Sequence, residues 1–253
     1  MFFTLNWTSW KNGVLALGLI VLTFVSIHFS TTYVFNIGSS ADAQPSGAIT
    51  KSLKGDPEVA LTFNVDWGDD VIIDILEVLE EKDVQATFFI NGEWALRNED
   101  LAELIIEENH EVGLLGFENE PYQDQSASYI EEDIENGVTV LSNLNYEPVS
   151  LIRPPENEYN QFVIDTIQQL GYQTVFWSIY ANVKHDSDAE EVSGHLVEQV
   201  NEGDIMLFFA QDNLIKTPEV VANIIDQKTK EGYQFLTVTE LLSPANVNIT
   251  PLD

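Results

Sequence analysis

From residue 59 onward, short apolar runs alternate with longer segments whose apolar residues recur at helical spacing. The apolar runs predict seven strands: Val59–Phe63, Gln85–Ile90, Glu111–Gly116, Leu151–Arg153, Thr174–Ser178, Asp204–Phe209 and Gln234–Val238. The amphipathic segments predict helices at Val71–Glu81, Asp100–Asn109, Tyr129–Leu144, Asn160–Leu170, Glu190–Val200 and Pro218–Lys230. This alternation predicts a parallel α/β sheet, either doubly wound or closed into a distorted barrel, with chemistry at the carboxyl ends of its strands.

The amino-terminal segment has a different pattern. Residues 14–35 are apolar for long enough to cross a bilayer, and Lys11 is the only charged side chain before them. The segment predicts a cytoplasmic terminus (1–11), a transmembrane anchor (12–35) and an extracytoplasmic remainder, made of a linker (36–56), a domain (57–242) and a tail (243–253). A secreted protein, cleaved near Ala43 in the small-x-small sequence 41–43, is the alternative.

The excess of acidic residues limits which molecules the protein can bind. The chain has 42 acidic against 10 basic residues, no cysteine, and no acidic residue before Asp42. A surface this negative repels nucleic acid, so no nucleic-acid partner is expected. The acidic residues interrupt apolar runs, which indicates a folded domain adapted to salt rather than a disordered tail.

Several short motifs recur in a fixed order along the domain. They are the segments 62–69 (TFNVDWGD), 86–92 (ATFFING), 110–113 (HEVG), 153–155 (RPP), 171–172 (GY), 177–178 (WS), 203–205 (GDI) and 232–233 (GY). Together they resemble the NodB-type polysaccharide deacetylases, most closely the membrane-anchored branch of spore-forming bacteria. The resemblance implies a distorted (β/α) barrel with about seven parallel strands.

The resemblance also locates the family's chemistry, and here the chain departs from it. In that family an aspartate acts as base, a second aspartate and two histidines bind a divalent metal such as zinc, and a late histidine acts as acid. The corresponding positions are Asn64 for the base, Val65, Leu115 and Asn119 for the metal, and Phe209 for the acid. The substitutions predict no metal cofactor and no catalytic residue.

Other residues are candidates for binding. Arg153 survives from the family pattern, and we expect it to pair with a carboxylate such as Asp66. A glycan is expected to contact Asp66, Arg153, Pro154, Tyr159 and Tyr180, because they follow predicted strands and aromatic faces suit sugar rings.

The remaining polar and aromatic candidates favour structural roles. Asp69 is expected to cap the helix that follows it, and His110 to lie as a cation at a helix end. Trp177 is expected in the core, whereas His185 and His195 are expected at the surface.

Three functions remain open on this pattern. The first is a tethered pseudoenzyme that binds glycan or scaffolds a partner in the cell wall or spore envelope. The second is an active deacetylase of N-acetylated cell-wall amino sugars with a rearranged site, using Asp66, Asp69 and Arg153. The third is a purely structural protein without a ligand.

Overall fold

The computed structural model describes residues 47–243. Nine strands run through this part of the chain: β1 (Ala48–Ile49), β2 (Glu58–Val65), β3 (Thr87–Ile90), β4 (Glu111–Leu114), β5 (Leu151–Ile152), β6 (Gln173–Val175), β7 (Ile179–Tyr180), β8 (Ile205–Phe209) and β9 (Gln234–Phe235). The helices are α1 (Val71–Lys82), α2 (Gly92–Arg97), α3 (Glu99–Glu107), α4 (Ala127–Asn143), α5 (Gln161–Gln169), α6 (Ala189–Gln199), α7 (Thr217–Lys230) and α8 (Val238–Leu242), with 3-10 turns at Tyr122–Asp124 and Pro155–Asn157.

The strands form one curled parallel sheet. Its order is β1-β6-β5-β4-β3-β2-β8-β7, and β9 pairs with the amino-terminal end of β2. An antiparallel bridge between Lys51 and Asp204 links the segment after β1 to the residue before β8. The predicted parallel α/β architecture is therefore confirmed, and its curl agrees with a distorted barrel.

The sheet buries apolar side chains on both of its faces. Along β2, Val59, Leu61 and Phe63 belong to the larger cluster, which includes the buried sides of the helices, whereas Ala60 belongs to a second, smaller cluster. Successive side chains of a strand point to opposite faces, so Thr62 and Asn64 follow Ala60 to the inner face. Helix α8 contributes Val238 and Leu241 to this inner cluster.

The structure corrects several predicted boundaries. Strand β1 lies within residues 36–56, where the sequence predicts a linker, and β7 was not predicted. Helices α2 and α8 were not predicted either, and Val238 begins α8 instead of ending a strand. Both missed strands have only two residues, which is too short for a periodic signal.

The predicted membrane anchor lies outside the described residues. Within residues 47–243, no helix is both long enough and apolar enough to span a bilayer. The anchor at 12–35 therefore remains a prediction.

Candidate functional site

The first motif, residues 62–69, begins within β2 and places Asn64 and Val65 at the carboxyl end of this strand. Asn64 is 2% exposed and lies in parallel register with Phe89 of β3 and Phe209 of β8. Val65, one residue further, is fully buried in the helix-facing cluster. The two motif residues thus face different sides of the sheet, and only Asn64 reaches the inner face.

Arg153 is completely buried beside Asn64. Its guanidinium donates to Asn64 Oδ1 at 2.8 Å, to Thr62 Oγ1 at 3.1 Å and to the carbonyl oxygens of Val175 and Phe176 at 3.1 and 3.2 Å. All four partners are neutral, and burial lowers the pKa of Arg153 well below its usual value. The expectation that Arg153 pairs with Asp66 is wrong, because the guanidinium points into the sheet.

Aromatic rings lie against the arginine. The guanidinium carbon lies 3.9 Å from the ring centre of Phe89 and 5.5 Å from that of Trp177. Such contacts stabilise a cation that lacks a carboxylate partner. Trp177 is half-buried at the edge of the inner cluster, so it is less enclosed than the expected core position.

The loop after β4 carries the two positions where the resemblance places histidines. Leu115 is 1% exposed and packs in the inner cluster, whereas Asn119 is exposed and donates to Glu156 Oε1 at 2.8 Å. Asp133 of α4 holds this loop by accepting from the backbone N–H groups of Phe117 and Glu118, both at 2.8 Å. No local motif marks Asp133, because it lies on α4 and contacts the loop across 15 or more residues.

Asp66 lies where β2 ends, and its carboxylate accepts from Gln211 Nε2 at 2.9 Å. Burial raises the pKa of Asp66 and outweighs the lowering effect of the Gln211 hydrogen bond. Asp66 is therefore a carboxyl group with an altered proton affinity at the strand ends.

The start of α1 is capped from a distance. The Asp212 carboxylate accepts from the backbone N–H groups of Asp69, Asp70 and Val71 at 3.0–3.2 Å. Asp70 occupies the capping position without a capping side-chain bond, so the expected role of Asp69 belongs to Asp212. Within residues 47–243, oxygens of Asp69, Asp70 and Asp212 form the single group of three acidic or imidazole ligands within 4.8 Å.

The five predicted glycan-binding residues differ in how far solvent reaches them. Arg153 and Pro154 are buried, and Asp66 accepts a hydrogen bond from Gln211. Tyr159 is half-buried, and its ring lies tilted against that of Phe176 with 4.0 Å between the ring centres. Tyr180 is 50% exposed and lines a cavity of about 390 Å³ with Phe209 and Gln211.

The predicted surface histidines are confirmed, and His110 is corrected. His185 and His195 are exposed. His110 is 6% exposed, and burial lowers its pKa to about 4, so it is neutral at pH 7 and does not act as a helix-end cation.

The comparisons with known proteins agree with this architecture. A sequence profile of the polysaccharide deacetylases matches residues 51–175. A peptidoglycan-N-acetylglucosamine deacetylase from Bacillus cereus is 30% identical over 205 residues, which cover 79% of this chain and 96% of that protein. The chain therefore belongs to the polysaccharide deacetylase family.

More distant relatives share the fold. The peptidoglycan-N-acetylmuramic acid deacetylase PdaA of Bacillus subtilis is 24% identical over 77% of this chain and 74% of its own length. A solved pseudoenzyme of carbohydrate esterase family 4 from Bacillus anthracis superposes with a TM-score of 0.73 at 24% identity, covering 80% of this chain and 70% of that one.

Proposed function

We propose that this protein is a membrane-tethered, extracytoplasmic member of the family that has lost metal-dependent deacetylation and binds cell-wall glycan. The observation that carries the proposal is the donor chemistry of the family's metal positions. Val65 and Leu115 have no donor atom, and both are buried in apolar clusters. The Asn119 amide donates to Glu156. A catalytic zinc site needs about three protein ligands, so these positions do not fit the ion.

The proton-transfer positions support the same proposal. A neutral amide cannot accept the proton that a carboxylate base removes, and the Asn64 amide is already bonded to Arg153 and Asn157. Phe209 has no proton to give to a leaving amine. The base and the acid are therefore missing together with the metal ligands.

Glycan binding is supported by exposed aromatic side chains near the strand ends. Trp67 is 56% exposed just after β2, and Tyr180 is 50% exposed on β7 beside the cavity that it shares with Phe209. Flat aromatic faces pack well against the apolar faces of sugar rings. The relatives from Bacillus cereus and Bacillus subtilis are deacetylases of the amino sugars of peptidoglycan.

The sequence of residues 12–35 supports the tether, and Lys11 before this apolar span supports an extracytoplasmic domain after it. The acidic residues of that domain suit a salty medium, where counterions screen their repulsion. A domain held at the outer face of the membrane would meet wall or spore-envelope glycan directly. Recovery from the culture medium of a protein that starts at residue 44 would instead show secretion after Ala43.

An active enzyme with a rearranged site is the second candidate. It is favoured by the raised pKa of Asp66 and by the grouped carboxylates of Asp69, Asp70 and Asp212. Arg153 cannot contribute directly, because it is fully buried behind Asn64. Oxygen ligands of this kind suit hard cations better than zinc.

One experiment separates the two candidates. The intact chain, purified without added metal, is assayed for bound zinc and for acetate release from peptidoglycan and chitin oligomers, with the Bacillus cereus relative as the active control. We expect neither stoichiometric zinc nor acetate, and Asn64→Asp alone should restore neither. Acetate release that disappears in Asp66→Asn would establish the rearranged enzyme.

Glycan binding is tested by cosedimentation with insoluble peptidoglycan. Trp67→Ala and Tyr180→Ala should each weaken retention, because each removes an exposed aromatic face. The matched control is Tyr233→Ala, since Tyr233 precedes β9 at the opposite end of the sheet. Equal retention of all three variants and the parent would rule out binding at the strand ends.

A further inference from the structure

A second pocket lies at the amino-terminal ends of β3 and β4, on the opposite end of the sheet from Asn64. Its volume is about 310 Å³. The lining residues are Leu79, Glu80, Asp83, Val84, Gln85, Glu108, Asn109 and His110. The family's catalytic positions lie at the carboxyl ends of the strands, so they leave this pocket without an assigned role.

His110 supplies a buried donor to this pocket. Its Nδ1 accepts from the backbone N–H of Ala86 at 3.3 Å, and its ring packs against Phe88 with 5.0 Å between the ring centres. The ring is neutral at pH 7, and an Nδ1 that accepts carries no proton, so the single proton is on Nε2. This Nε2–H is buried and has no hydrogen-bond partner among the described residues.

Glu108 supplies an acceptor next to that donor. Its Oε2 is also buried without a hydrogen-bond donor, and it lies 3.7 Å from His110 Nε2, which is too far for a direct hydrogen bond. Burial raises the pKa of Glu108, and repulsion from the Glu80 carboxylate raises it further. A positive charge between them would relieve this repulsion.

The charges around the pocket are all of one sign. Glu80, Asp83 and Glu108 are three carboxylates among its eight lining residues, and the described part of the chain contributes no lysine or arginine to the lining. Leu79 and Val84 add an apolar wall. The pocket therefore presents a negative potential, the buried unpartnered donor of His110 and one apolar surface.

We propose that this pocket binds a small ligand with a protonated amine next to a hydroxyl oxygen, such as an amino sugar whose amine is free. The ammonium group would donate to Glu108 in the field of Glu80 and Asp83, and the hydroxyl oxygen would accept from His110 Nε2–H. A metal ion cannot use Nε2, because that nitrogen carries the ring proton. An N-acetylated sugar lacks the positive charge and should bind poorly.

The test uses the intact chain at about 0.15 M salt, where long-range attraction to the acidic surface is screened. The imidazole signal of His110 is followed by NMR during titration with glucosamine. We expect a saturable shift with glucosamine and little shift with N-acetylglucosamine. Glu108→Gln should weaken binding about tenfold, the loss expected for one charged hydrogen bond.

Glu107→Gln is the matched control, because Glu107 is adjacent and exposed but does not line the pocket. It should bind as the parent does. Equal weakening in both variants would show general attraction to an acidic surface. That result, or the absence of a saturable shift at His110, would overturn the proposal. This pocket is remote from Asn64 and Tyr180. The result of this titration therefore does not depend on the results of the glycan-binding and acetate-release tests.

Discussion

Asn64→Asp places a carboxylate against a buried guanidinium that now has only neutral partners. Arg153 donates to the Asn64 amide oxygen at 2.8 Å and has no exposed surface. The substitution is nearly isosteric, so Oδ1 keeps its hydrogen bond from Arg153, and the new oxygen replaces Nδ2, which faces Asn157. The amide of Asn157, which now accepts from Asn64 Nδ2 at 3.3 Å, can rotate to present its own N–H groups. The expected result is a more stable fold.

The expected change in stability combines a stronger hydrogen bond, the cost of burying a carboxylate and its attraction to Arg153. A neutral hydrogen bond contributes about 1 kcal/mol, and one that joins charged groups contributes up to about 3 kcal/mol. Burial of the new carboxylate costs several kcal/mol, and its attraction to a guanidinium about 4 Å away returns about 4 kcal/mol at an effective dielectric of 20. We therefore expect a net gain of about 2 kcal/mol, which corresponds to about 4–8 °C in melting temperature.

Thermal unfolding at several pH values is the assay. Arg153 should hold the folded-state pKa of the new carboxyl below its usual value of about 3.9, so the gain is complete above that pH. It should disappear as the pH falls through the lowered pKa. The control is Asn91→Asp, which is also 2% exposed but donates to Phe117 O at 2.9 Å and should lose stability.

Three results would refute this reasoning. An unchanged or lower melting temperature for Asn64→Asp at pH 7 would mean that carboxylate desolvation exceeds the attraction. A gain that persists at pH 2 would mean that the stabilisation does not come from charge. Equal effects at Asn64 and Asn91 would mean that Arg153 plays no part.

Three further predictions concern other regions. The melting temperature should rise along a sodium chloride series, because salt screens repulsion among the 42 acidic residues, and a flat series would contradict salt adaptation. In urea, Asp212→Ala should lower the free energy of unfolding by about 1–2 kcal/mol, whereas Asp69→Ala should change it by less than about 0.5 kcal/mol. A chain that starts at Asp56 should melt below one that starts at Pro45, because it lacks β1 and the Lys51 ion pair; equal melting would make β1 dispensable.

The sequence predicts the parts of this fold that depend on local pattern. All seven predicted strands are present, because each is an apolar run flanked by turn or helix signals. Strands β1 and β7 escaped detection, since a pair of residues has no period and their pairing depends on distant partners. Family membership was likewise accessible, because motif order is a property of the chain itself.

The site is less predictable, because its contacts are tertiary. Asp212 caps α1 from about 140 residues away, and no local rule connects the two. Charge alone suggested Asp66 as the partner of Arg153, but strand alternation turns the guanidinium towards Asn64 on the inner face. His110 was expected as a cation, whereas its depth in the fold makes it neutral.

The short strands at the two edges of the sheet bear on how the protein behaves at high concentration. Charge repulsion keeps such acidic chains apart in dilute buffer, but salt removes that protection. Strands β1 and β7 then offer only two residues each for pairing, and the Lys51–Asp204 bridge occupies the backbone just beyond β1. Edges this short are poor templates for another chain. Residues 47–243 therefore offer little edge for fibre-like, strand-mediated association when the protein is concentrated in salt.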